Sequence, residues 1–156
     1  MTMSELVLRI VIDIFIVVTL SVIIGATAPR WPANWLSRDR GLLRLTTLDT
    51  PRGYRRIGIH RFKDKLPELG AIFGGQSKGQ LPGSELEQLA LYARELRRAE
   101  WVHWLSMLTW IPLAFFNPWW VTLAFAIAVI VGNAPFVLIV RYNRMRVLRI
   151  VGRTDS

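Results

Sequence analysis

The chain has 156 residues, with 20 Lys and Arg against 11 Asp and Glu for a net charge of +9, no cysteine and two histidines. The length suits one domain. The lack of cysteine excludes a disulfide framework, a thiol nucleophile and cysteine-ligated metal centres, and His60 and His103 alone leave no zinc site to expect. Apolar residues make up 52% of the chain and the mean hydropathy is +0.32 despite 20% charged residues. Apolar and basic residues lie in separate blocks, which is a membrane pattern.

Residues 10–28, IVIDIFIVVTLSVIIGATA, form a 19-residue apolar run. As a helix it would reach roughly 28 Å, enough to cross a hydrocarbon core. A cleaved signal peptide is the rival, because Ala26, Thr27 and Ala28 fit a small-residue cleavage site. Glu5 offsetting Arg9, Asp13 inside the run and Pro29 after the cut favour an uncleaved span. Asp13 would cost about 2.5–3.5 kcal/mol at a bilayer centre, so a pair with Arg9, four residues earlier, is expected.

Residues 29–100 carry 14 basic and 8 acidic side chains, and are read as a basic segment lying outside the bilayer. Within it, 41–48 and 54–66 mix apolar and basic residues, and periodicity leaves short strands or an interfacial helix open. Residues 69–83 are glycine-rich and read as a loop. Their GGQSKG resembles a phosphate loop, but Gly79 follows Lys78 where Ser or Thr is needed, so a nucleotide-triphosphate P-loop is rejected. Ser84 and Glu87 make a capping box for a helix that continues without a breaker into the next apolar block.

That block is residues 101–116, interrupted by Pro112. Residues 119–140 follow after the turn signal Asn117-Pro118, beside the belt-forming Trp119 and Trp120. A helical hairpin is expected, with a first arm that is tilted, kinked or re-entrant. Residues 141–156 carry five basic side chains and one acidic. Placing both basic segments in the cytoplasm gives a multi-pass cell-membrane protein of three spans, amino terminus outside and carboxyl terminus cytoplasmic. The expected fold is thus mainly α, one membrane domain over 1–156. It comprises a transmembrane helix (10–28), a basic cytoplasmic segment (29–100), a transmembrane hairpin (101–116 and 119–140) and a basic tail (141–156).

Five residues on the continuous helix share an arc of about 120°: Arg97, Glu100, His103, Trp104 and Met107. Glu100 and His103 are neighbours at i, i+3. A carboxylate beside an imidazole suits a general base acting on an alcohol. The plainer alternative pairs Glu100 with Arg97 and leaves His103 in an interfacial belt with Trp101 and Trp104. A di-iron centre needs two such E-x-x-H pairs and further carboxylates, so iron is discounted and no metal is expected. Asn133 lies roughly 12 Å deep from Arg141, where its amide needs a helix or ligand partner. Arg141, Arg144, Arg146 and Arg149 either anchor at headgroup level or capture phosphates of a lipid or of a nucleotide-bearing donor such as coenzyme A. The charges flank apolar spans instead of forming one exposed stripe, which argues against nucleic acid.

Three ordered motifs add to this: RAEWVHWLS from Arg98, NAP from Asn133 and RYNRMR from Arg141. Together they resemble the glycosyl-4,4'-diaponeurosporenoate acyltransferase family of staphyloxanthin-type carotenoid synthesis. A weaker likeness, RFKDKL, starts at Arg61. The clear resemblance covers about a third of the chain, and the glycine-rich loop and the FNPWW hairpin tip depart from it. It implies transfer of a fatty acyl group from acyl-CoA or a similar thioester, with no bound cofactor, to a sugar hydroxyl of a membrane glycolipid such as a carotenoid glycoside. It makes His103 the base and Glu100 the group that orients it. Arg141, Arg144, Arg146 and Lys63 would hold donor phosphates, while Asn133, Asn143 and Trp104 would hold substrate. Membrane lipids and the glycoside are the expected partners, and a homo-oligomer stays open. The alternative is a non-enzymatic membrane protein that binds anionic lipids or serves as an assembly subunit.

Overall fold

The computed structural model describes residues 2–62 and 86–154. The glycine-rich loop, the Ser84 cap and Lys63 lie outside the described residues.

Helix α1 spans Met3–Thr27, opened by a capping box in which the Thr2 hydroxyl accepts from Glu5 N and the Glu5 carboxylate accepts from Thr2 N. Its apolar surface is almost wholly exposed, and Asp13 is its one buried residue. At about 1.5 Å per residue its 25 residues cover a bilayer core. Such a helix in water would present a large unpartnered apolar surface, which a hydrocarbon core removes.

Short elements follow: α2 (Ala33–Leu36), α3 (Pro51–Arg56) and α4 (Ile59–Phe62), with 3-10 turns at Ala28–Arg30 and Gly41–Leu43. The ambiguity over 41–48 and 54–62 therefore resolves to turns and helix, and the described residues contain no strand. Thr50 caps α3 by accepting from Gly53 N at 3.0 Å. Glycine is required at 53, because a Cβ there would stand 2.6 Å from the Leu48 carbonyl oxygen.

Helices α5 (Leu86–Ser106) and α6 (Trp119–Thr154) form the frame. Leu89, Tyr92, Ala93 and Leu96 make the i, i+3, i+4, i+7 stripe of α5 and pack with Val140 and Val147 of α6. Glu100 meets Arg141 and Arg144, whereas His103 meets Asn133, so numbers rise on α5 as they fall on α6 and the two helices are antiparallel. A second cluster seats Tyr54 and Ile59 against Ile139, Tyr142 and Met145, holding α3 and α4 on α6.

The first hairpin arm, 101–116, is interrupted, as Pro112 predicts, and the break comes earlier than the proline. Helix α5 stops at Ser106, a turn follows, and Ile111–Phe115 is a 3-10 helix held by i→i+3 bonds. Pro112 has no N–H for the Leu108 carbonyl, and Thr109 turns its hydroxyl onto Ser106 O at 2.8 Å. Among the described residues, two helices are long and apolar enough by length and composition to cross a membrane, Met3–Arg30 and Trp119–Gly152.

The Arg9–Asp13 pair is also replaced. Arg9 Nη1 donates to Phe116 O at 3.1 Å, and Asn117 Nδ2 donates to Asp13 Oδ1 at 2.9 Å. Asp13 is fully buried between α1 and the α5–α6 connection. The amino terminus and residues 116–117 thus share one end of the bundle, and the arginine-rich segments lie at the other.

Candidate functional site

The site starts from α6. Asn133 sits inside the helix and turns its amide back on the carbonyl four residues earlier, Nδ2 donating to Val129 O at 2.9 Å. That bond fixes which end of the amide is which. Oδ1 then faces His103 Nδ1 of α5 at 2.9 Å. An amide oxygen can only accept, so Nδ1 carries the proton, and whenever the ring is neutral its lone pair lies on Nε2. The ring stacks on Phe136, with centroids 4.9 Å apart and planes 13° from parallel, and both residues are half-buried. A bond on one edge and a stack on one face leave the imidazole little rotational freedom.

One turn earlier on α5, Glu100 is fully buried. Its carboxylate takes Arg141 Nη1 at 2.8 Å, Arg144 Nη1 at 2.8 Å and the Trp104 indole N–H at 3.2 Å. The Arg144 contact is an ion pair whose N–H does not point at the oxygen. Burial pushes the Glu100 carboxyl up from its ordinary value, against the pull of Arg144 and Arg141. Glu100 therefore ties helices together, and the bond that orients His103 comes from Asn133. The simpler pairing of Glu100 with Arg97 does not form either: Arg97 Nε goes to Asp39 at 2.6 Å and Nη1 to Leu36 O at 3.4 Å.

Arg141 spends every donor it owns. Nε and Nη2 grip the two oxygens of Asp49 at 3.1 and 2.8 Å, Nη1 serves Glu100 and Leu42 O at 2.8 and 2.9 Å, and Nη2 also reaches Arg44 O at 2.8 Å. Five N–H groups, five acceptors, and nothing left for a phosphate. Arg144, fully buried, donates to Leu43 O and lies 3.7 Å from Asp39.

Asp49 closes the network, also accepting from Thr46 N and Oγ1 at 2.6 and 3.0 Å and from the Tyr54 hydroxyl. Burial opposes its ionisation, but the Arg141, Tyr54 and Thr46 bonds overcome that and hold the carboxyl well below the usual carboxylate range. Burial, then the Asp49 bond, raises the Tyr54 phenol above its ordinary value. The three acids Asp39, Asp49 and Glu100 thus match the three bases Arg97, Arg141 and Arg144.

Of the residues singled out from sequence, the structure brings His103 and Asn133 into direct contact and joins Glu100, Trp104, Arg141 and Arg144 in the adjoining network. Arg146 is exposed with its guanidinium 5.7 Å from the Tyr142 ring centre, and Asn143 is half-buried. Asp39, Asp49 and Tyr54 escaped sequence reasoning because their partners stand 58, 92 and 88 positions away. The one available signal was the Thr46 to Pro51 run, TTLDTP, a turn-and-cap pattern too common to single out. Among the described residues, no three His, Asp or Glu side chains are grouped as a metal site.

Residues 32–153 match the sequence model of a family described as glycosyl-4,4'-diaponeurosporenoate acyltransferase, so the match takes in α2 to α6 and leaves out α1. A curated relative from Staphylococcus haemolyticus, carrying that same name, is 35% identical over 91 residues, 56% of this chain and 52% of the relative. The chain thus spans about half the length of the curated relative it matches. No solved structure matches.

Proposed function

Because the chain belongs to the glycosyl-4,4'-diaponeurosporenoate acyltransferase family, we propose that it transfers a fatty acyl group from a thioester donor to a sugar hydroxyl of a membrane glycolipid, with a carotenoid glycoside as the acceptor class. The observation that carries this reading is the Asn133–His103 hydrogen bond, whose direction is set by Val129. It prepares Nε2 to take a proton, as attack by an alcohol requires.

The sugar oxygen attacks the thioester carbonyl carbon while its proton passes to His103 Nε2. The tetrahedral oxyanion then collapses, the C–S bond breaks, and the thiolate leaves with the proton returned from His103. The products are an ester and a free thiol, with no net proton gained or lost. Asn133 is a positioning residue, acting through the ring. Glu100, Arg141 and Arg144 act one step further back, holding α5 and α6 in the register that brings positions 103 and 133 together. Donor phosphates fall to Arg146, which is exposed outside this network, and to Lys63, the further cation that the family resemblance implies. The basic end of the bundle faces the cytoplasm, where a soluble donor and a lipid acceptor meet.

The test is acyl transfer by purified protein from an acyl thioester to a lipid glycoside, read by mass spectrometry. His103→Ala should lower the rate by about 10²–10⁴. Wild-type turnover in that variant removes His103 from the chemistry. Lipid binding with no product from the wild type favours a non-enzymatic lipid-binding protein instead.

A further inference from the structure

The stretch from the end of α2 to the start of α3, residues 35–50, has two chemically different sides. Its inner side is pinned to the bundle: Leu36 and Leu43 are fully buried, Asp39 is held by Arg97, and the carbonyls of Leu42, Leu43 and Arg44 are gripped by Arg141 and Arg144. The outer side shows Trp35, Leu42 and Leu48 at 62%, 53% and 82% exposure, interleaved with the exposed side chains of Arg38, Arg40 and Arg44. Gly41, at φ +54°, supplies the left-handed turn that keeps Leu42 out while Leu43 goes in.

Charge is segregated the same way. The acids of this stretch, Asp39 and Asp49, are consumed inside by Arg97 and Arg141. Among the described residues, Arg38, Arg40 and Arg44 have no acidic partner, so the charged side chains described on the outer side are all cationic. It also begins five residues after Arg30, where the apolar span made by α1 and the following 3-10 turn ends, which sets it at headgroup depth. Trp and Leu beside unneutralised Arg at that depth fit a surface with phosphate anions above acyl chains, whereas a soluble phosphate would leave the three apolar side chains in water.

We propose that this strap is a docking surface for anionic phospholipid, its arginines on the headgroup phosphates and Trp35, Leu42 and Leu48 in the upper acyl region of the leaflet at the carboxyl-terminal end of α1.

The full chain is reconstituted in bilayers containing brominated phosphatidylglycerol or brominated phosphatidylcholine. Trp35 is isolated as the difference in quenching between wild type and Trp35→Phe. Each basic side chain near an anionic surface favours partition by about fivefold, so three give about 100-fold preference for the anionic lipid. The expected result is a preference of tenfold or more, lost in Arg38→Gln/Arg40→Gln/Arg44→Gln, whose helical circular dichroism should match wild type because none of the three side chains holds the bundle. If the triple variant does not fold, the wild-type preference stands as the test. Equal quenching by both lipids overturns the proposal. So does quenching of Trp35 by aqueous acrylamide but by neither lipid, which would put water or another part of the chain on this face. Displacement of the anionic preference by inorganic pyrophosphate would instead mark a soluble phosphate ligand.

Discussion

Replacing Asp49 with Asn removes one charge and almost no volume from the network that clamps α6 to the chain between α2 and α3. Asp49 accepts two bonds from Arg141, two from Thr46 and one from Tyr54, with its side chain only 7% exposed. An amide keeps one acceptor oxygen and turns an N–H pair toward groups that are themselves donors. Losing one partner of a buried ion pair costs about 3–5 kcal/mol. Arg141 retains Glu100 and two carbonyls, so the lower end applies, about 3 kcal/mol, or roughly 150-fold in the folding equilibrium. The assay is unfolding in detergent at pH 7 for wild type, Asp49→Asn, Arg141→Gln and the double variant, because the cycle isolates the pair.

The pH dependence of the same variant carries a sign. The folded Asp49 carboxyl is held below its unfolded value, so its contribution is complete above the unfolded pKa of about 3.9 and drains away as pH falls from there toward the folded pKa. The gap between wild type and Asp49→Asn should be flat from pH 8 to about 5 and close below about 4. A stability loss under about 0.5 kcal/mol, the range of ordinary surface changes, or a gap that persists unchanged into strong acid, would refute the assignment of Asp49 as the ionised anchor of Arg141.

Other substitutions probe separate parts of the molecule. Asn133→Leu should cut kcat by more than tenfold with little change in KM and shift the pH profile of the rate. Asn133→Gln, whose longer arm cannot hold both Val129 and His103, should not restore it. Arg144→Ala takes one of two guanidinium partners from buried Glu100, which keeps Arg141, and should destabilise by about 3 kcal/mol, while exposed Arg146→Ala stays within about 0.5 kcal/mol and weakens donor binding in a salt-dependent way. The reverse ranking in thermal melts and donor titrations would return Arg144 to the donor. Gly53→Ala drives a Cβ into a backbone oxygen and should lower the melting temperature by several degrees.

Apolar run length carried the two candidate membrane helices directly, because α1 and the apolar part of α6 are set by local composition and a bilayer needs only about 20 apolar residues per crossing. The α5 stripe, the Asn117-Pro118 turn and the candidacy of His103, Asn133 and Glu100 were readable for the same reason: each is a pattern within a few helical turns. What local pattern could not supply was pairing. Glu100 and His103 are neighbours at i, i+3, yet the bond that orients His103 comes from Asn133, 30 positions on, and Glu100 joins Arg141, 41 positions on. Arg141, Arg144 and Arg146 look alike in RYNRMR, but only the packing of α6 decides that the first two are buried, Arg141 with every donor used and Arg144 ion-paired to Glu100, while the third faces out. A guanidinium's role depends on which acceptors lie within 3 Å, and those come from a loop about 100 residues earlier. Segment 101–116 lies between these cases: Pro112 marked an interruption in the sequence, but only the structure shows that α5 already ends at Ser106, with the Thr109 hydroxyl on the Ser106 carbonyl.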